Sequence, residues 1–203
     1  MAKKLKLTAR KIAIISAAIT LVSFGYKLTL GILAASLVLI IASMSTLLVF
    51  LCKLFFVKSC NATREEKKKT YFVMIILLFA YAALFILFVV LKVAGIDTSN
   101  QKTYEGWLGA LLIAFMLLMF VLSIIKYKGA LEKNDLMVIG LKQMIFVSAL
   151  TDVIIIVEYI SRIILEYKEV PVLYTINTYL PLAVGVVMII VGIKMIDRFR
   201  KYK

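Results

Sequence analysis

Long apolar runs separated by short basic clusters organise the whole chain. A helix needs about 20 apolar residues to cross the roughly 30 Å hydrocarbon core of a bilayer. Four uncharged runs reach that length: Leu28–Cys52, Thr70–Leu91, Gly106–Ile125 and Val170–Ile193. They are rich in Leu, Ile, Phe and Met and lack the alternating ten-residue segments of a membrane barrel, so they predict helices. Two more spans need argument. Ile12–Tyr26 is short, but Arg10, Lys11 and Lys27 can snorkel at its ends. It starts like a signal peptide, yet no A-x-A site closes it and a second apolar run follows at once. The expected turn is Phe24-Gly25-Tyr26-Lys27. Leu136–Leu165 is long enough to cross although Lys142, Asp152, Glu158 and Arg162 interrupt it. The pattern therefore predicts an all-α membrane bundle forming a single domain, with six spans near 11–26, 28–56, 70–93, 106–126, 136–165 and 174–196.

Charge then assigns sides. On one side of this topology lie Met1–Lys11, Lys58–Thr70, Lys126–Asp135 and Lys194–Lys203, with five, five, three and five Lys or Arg. The opposite side holds Lys27, Lys102 and Lys168. Eighteen against three puts both termini in the cytoplasm by the positive-inside rule, and the expected location is the plasma membrane. The same assignment places the glycosylation tripeptide Asn61-Ala62-Thr63 in a cytoplasmic loop, where it reads as a chance match.

Composition agrees. Of the 203 residues, 64% are hydrophobic, against 45–50% in ordinary soluble domains. The net charge of +14 sits in loops between spans, which points to topology and anionic lipid at the cytoplasmic face, and away from nucleic acid. The two cysteines, Cys52 and Cys60, form no CxxC pair, and there is no histidine. Zinc sites, His-ligated haem and Ser–His or Cys–His catalysis lose their usual ligands and bases. No cofactor or metal is expected.

The fifth span carries the candidate chemistry. At 100° per residue, Ser148, Thr151, Asp152, Glu158, Tyr159, Arg162 and Glu166 fall within an arc of about 120°. Asp152 lies deepest and costs roughly 2.5–3.5 kcal/mol there if left exposed. One reading makes the stripe the wall of a polar pathway, with Asp152 as an ion ligand or titrating carboxylate. The other makes it a packing feature, with a protonated Asp152 bonding a neighbouring helix. Glu158 and Arg162, four apart, are expected to pair. The chain shows no cationic partner for Asp152 at its own depth in this topology.

Small residues mark expected seams: Gly106, Ala110 and Ala114 in the fourth span, Gly185 and Gly192 in the sixth. Pro171 and Pro181 bracket the start of the sixth helix; if it begins near Asn177, then Asn177 and Thr178 can cap it and Pro181 lies about a turn inside. Tyr104, Trp107, Tyr167, Tyr174 and Tyr179 form one aromatic belt, and Tyr71, Tyr127 and Tyr202 the other. No intramembrane carboxylate pair, HExxH, G-x-S-x-G or phosphate loop supports an enzyme. The functional expectation is a small transport or channel protein, or a subunit of one. The alternative is a non-catalytic accessory protein that binds another membrane protein or a second copy of itself.

Overall fold

The computed structural model describes residues 2–33, 36–60, 62–94, 135–167 and 170–202, with Ile113, Ala114 and most of 116–125 between them. These residues are helical, without strands. Five long helices are apolar enough to cross a membrane: α1 (Ala2–Leu33), α2 (Leu37–Ser59), α3 (Arg64–Val93), α5 (Leu136–Tyr167) and α6 (Pro171–Lys201). A shorter apolar helix, α4 (Met116–Ile125), lies within the fourth predicted span. The rest of that span, with Gly106 and Ala110, lies outside the described residues.

Helix ends have local causes. Thr63 accepts from the backbone N–H of Glu66, while the Glu66 carboxylate takes the N–H of Thr63. This capping box satisfies two orphan donors and starts α3. The threonine of the glycosylation tripeptide thus has a structural role. Asp135 accepts from the N–H groups of Met137 and Val138 at the start of α5. Ser36 caps α2 and donates its own backbone N–H to Gly31 at 2.8 Å.

The turn between the first two helices is displaced from its expected place. Gly25 through Lys27 are helical, and α1 continues to Leu33. A Cβ on Gly31 would come 3.0 Å from the backbone nitrogen of Ile40, so a glycine allows α1 and α2 to close there. Gly25 needs no such freedom, because a Cβ there meets nothing within 4 Å. The sixth helix starts a little before the expected 174, and well before Asn177. α6 begins at Pro171, whose missing N–H costs nothing in a first turn, with Val170 as a cap that makes no side-chain bond. Asn177 and Thr178 lie inside the helix, and so does Pro181.

Cross-helix contacts fix directions. Tyr71 donates to Gln143 at 3.2 Å, Tyr81 meets Thr151 at 3.0 Å, and Lys92 pairs with Glu158. Both numbers rise together, so α3 and α5 run parallel. Phe72 stacks on Phe199 with ring centroids 5.4 Å apart, whereas Gly185 packs on Phe85. Here one number rises as the other falls, so α6 is antiparallel to α3. Lys27 with Thr46 and Lys53 with Thr20 define an antiparallel α1–α2 hairpin in the same way.

The core follows these pairings. α6 buries Pro181, Val184, Gly185, Met188, Val191, Gly192 and Met195, the three-and-four spacing of one helix face. Gly185 and Gly192 both face α3, and a Cβ on Gly192 would come within 2.8 Å of the half-exposed Phe79 ring. Ala114 is exposed, so it forms no seam in the described part of the chain. Apolar side chains on the outside, such as Ile12, Val22, Ile76, Leu87, Val90 and Ile193, are at least half exposed. Such a surface belongs in hydrocarbon, and the protein is a multi-pass membrane protein.

Gly140 is closely packed in the core, since a Cβ would lie 2.8 Å from the fully buried Tyr71 ring. Overpacking of this kind costs about 1–3 kcal/mol. Gly140→Ala is expected to lower the thermal midpoint in detergent by several degrees, while Gly25→Ala leaves it equal or higher. Thermal unfolding of the two purified variants checks the contrast.

Candidate functional site

Lys27 and Asp152 make the site. Asp152 stands near the middle of α5, and Lys27 reaches it from α1, Nζ to Oδ1 at 2.6 Å. Lys27 is 5% exposed and Asp152 8%. The same ammonium donates to the Thr46 hydroxyl of α2 at 3.3 Å, and that hydroxyl donates in turn to the Ala42 carbonyl at 3.1 Å. Thr46 can receive the lysine because its own proton is committed along its helix. Three helices therefore meet at one ion pair. Its charges partner each other at short range, the arrangement that makes buried ions tolerable.

Beside the pair lies a cavity of about 170 Å³, bounded by α1, α2, α4 and α5. A water takes about 30 Å³ of liquid, so several waters fit. Ser16, Thr20, Ser23, Thr46, Ser123 and Ser148 line it with hydroxyls, and Lys27, Lys53 and Asp152 supply charge. Lys53 of α2 donates to Thr20 and, at 3.1 Å, to the Ser16 carbonyl of α1. Ser148 meets Ser45 at 3.0 Å. Ser45 also donates to the Ala42 carbonyl of its own helix at 2.7 Å. Apolar Ile19, Val49, Met116, Ile145 and Ala149 complete the wall. The chamber is wettable and lies among apolar helices.

The chain matches no family model, no curated protein and no solved structure. What can be said of the site rests on its geometry.

The polar arc of the fifth span divides three ways. Ser148 and Asp152 line the cavity. Thr151 instead turns to Tyr81 of α3, whose hydroxyl also lies 3.4 Å from the Ile41 carbonyl. Glu158 meets Lys92 of α3, and Tyr159 packs partly buried against the core. The side chains of Arg162 and Glu166 lie outside the described residues, so the expected Glu158–Arg162 pair is not placed. Asn177 accepts from Ser161 at 3.2 Å and so ties α6 to α5. Of the expected stripe, Ser148 and Asp152 thus face open space, whereas Thr151 and Glu158 face α3.

The missing cation of the sequence analysis is Lys27. It was expected in a surface turn because Gly25 and a short first span suggested one. The helix carries it inward instead, and its ammonium donates to the Asp152 carboxylate in place of the expected bond from Asp152 to a neighbouring helix. A signal was present in the apolar residues on both sides of Lys27, Ile12–Tyr26 and Leu28–Leu33. Lys53, Thr20, Ser16, Ser23 and Thr46 were also missed, because hydroxyls and a helix-end lysine are ordinary in membrane helices. Among the described residues no three His, Cys, Asp or Glu gather to hold a metal.

Removing one member of a buried pair strands the other, at about 3–5 kcal/mol. Lys27→Met and Asp152→Asn are each expected to destabilise strongly, whereas the double variant Lys27→Met/Asp152→Asn loses far less than their sum. A double-mutant cycle on thermal unfolding in detergent reads this coupling. Additive losses would mean the two side chains do not interact.

Proposed function

We propose that the protein is a small membrane transport or channel protein, or a subunit of one, with the Lys27–Asp152 chamber in its solute pathway. The observation that carries this reading is the chamber itself: a space for several waters with two lysines, one aspartate and six hydroxyls, set among helices whose outer surface is apolar. Ionisable groups at membrane depth are costly and most often mark a substrate or ion path. Packing alone asks for polar groups that satisfy one another, as Tyr81 and Thr151 do, without open volume beside them.

The pathway reading goes with six spans, both ends in the cytoplasm and a plasma-membrane location. Two facts support the topology. α3 and α5 run parallel, so the chain leaving α3 at one end has to return to the other before α5 begins, and α4 lies on that return. One end of the bundle also collects Lys58 of α2, Arg64, Lys67, Lys68 and Lys69 of α3, and Arg198, Arg200 and Lys201 of α6, the distribution expected of a cytoplasmic face.

A pathway must present the chamber to each aqueous side in turn. Single cysteines at Ser23 and Ser148, in a Cys52→Ala/Cys60→Ser background, are expected to react with a charged, membrane-impermeant thiol reagent added from either side. A cysteine at Ile86, on the apolar surface of α3, is expected to stay silent. Asp152→Glu should keep this two-sided labelling, while Asp152→Asn should bias it to one side or abolish it. Labelling of the chamber from neither side, or from one side in every variant, would sink the pathway reading. It would favour the accessory protein, which should then co-purify with a partner in mild detergent.

A further inference from the structure

At the basic end of the bundle, α3 and α6 leave a groove between them that changes chemistry along its length. Its upper part is walled by Lys68, Lys69 and Glu65, with Phe72 and Phe199 below. The lower part continues past the same two rings onto Ile76, Phe79 and Ile196, with Arg200 at its rim. Lys68 sits over the Phe199 ring, 5.3 Å from its centroid, so the ring holds the ammonium at the mouth. Three cations face one carboxylate there. The floor is apolar and open, with Ile76 52% exposed.

The length fits one kind of occupant. From Lys69 to Phe79, α3 advances about 15 Å at 1.5 Å per residue. That is half of the roughly 30 Å hydrocarbon core, or one leaflet. A free anion would satisfy the mouth and leave the apolar floor uncovered, and a neutral chain would do the reverse. We propose that this groove binds one anionic phospholipid, its phosphate against Lys68, Lys69 and Arg200 and an acyl chain along Ile76, Phe79 and Ile196. This is a defined site, narrower than a general attraction of basic loops for a charged leaflet, and it does not depend on the pathway reading.

The test uses the purified full chain in mild detergent, with bound lipid counted by native mass spectrometry and thermal unfolding read against each variant's own lipid-free midpoint. Phosphatidylglycerol is expected to bind one per chain and raise the midpoint more than phosphatidylcholine does. Each cation near a membrane surface is worth roughly five-fold in affinity, so Lys68→Gln/Lys69→Gln/Arg200→Gln should weaken phosphatidylglycerol on the order of 100-fold. Lys58→Gln/Lys201→Gln, which removes cations of the same end from outside the groove, should leave it within a few-fold. Glycerol phosphate, which has no chains, should not stabilise the protein. Equal stabilisation by phosphatidylcholine, an equal effect of glycerol phosphate, or an equal loss in the second variant would each overturn the proposal.

Discussion

A lysine of the first helix and an aspartate of the fifth neutralise each other in a place where neither is affordable alone. Around Lys27 and Asp152 the arrangement of α1, α2 and α5 is constrained in a way that apolar packing cannot achieve. In hydrocarbon one leucine face is as good as another, because lipid tails compete equally for it. An ion pair has one partner and one register. The Lys27–Asp152 contact, steadied by Thr46, therefore selects how α1 sits against α5. Among the described residues α1 otherwise buries Ala17, Thr20 and Gly31, and it packs chiefly on α2 and little on α5.

The other half of the bundle is held differently. α3 and α6 meet through ring contacts and glycines, and α3 meets α5 through polar pairs spaced along the helix: Tyr71–Gln143, Tyr81–Thr151 and Lys92–Glu158. Each of these closes a polar contact across the seam, although Gln143 Nε2 finds no hydrogen-bond partner among the described residues. The chamber occurs where that economy stops, on the side of α5 that faces α1. One helix thus presents a sealed polar face and an open one, separated by little more than the step from Thr151 to Asp152.

Membrane helices were legible from apolar run length, since hydrocarbon thickness imposes it directly, and the polar arc of α5 was legible from its period. Helix ends were less so. Gly25 resembled a turn residue, but in a bilayer a glycine inside a helix is common, and the true turn needed a close approach at Gly31 that only the packed structure reveals. Asn177 and Thr178 resembled caps, yet Pro171 starts α6 earlier and frees Asn177 to bond Ser161. The site was half visible. Asp152 stood out as a deep charge, while Lys27 was hidden by being assigned to a surface. Two opposite charges, each embedded in apolar sequence, are a stronger sign of contact than either charge judged by its nearest turn.

The pairing of Lys27 with Asp152 also has a consequence in time. The two residues are 125 positions apart, and a ribosome adds about 5–20 residues per second, so roughly 6–25 s separate their synthesis. Throughout that interval the first hairpin must exist with its lysine's final partner unmade. Thr46, on the helix that follows immediately, is already at hand, and it offers Lys27 an oxygen while α5 is still to come. The weak hydroxyl contact thus has a provisional use: it lets a nascent hairpin keep a charge that the finished protein will later neutralise.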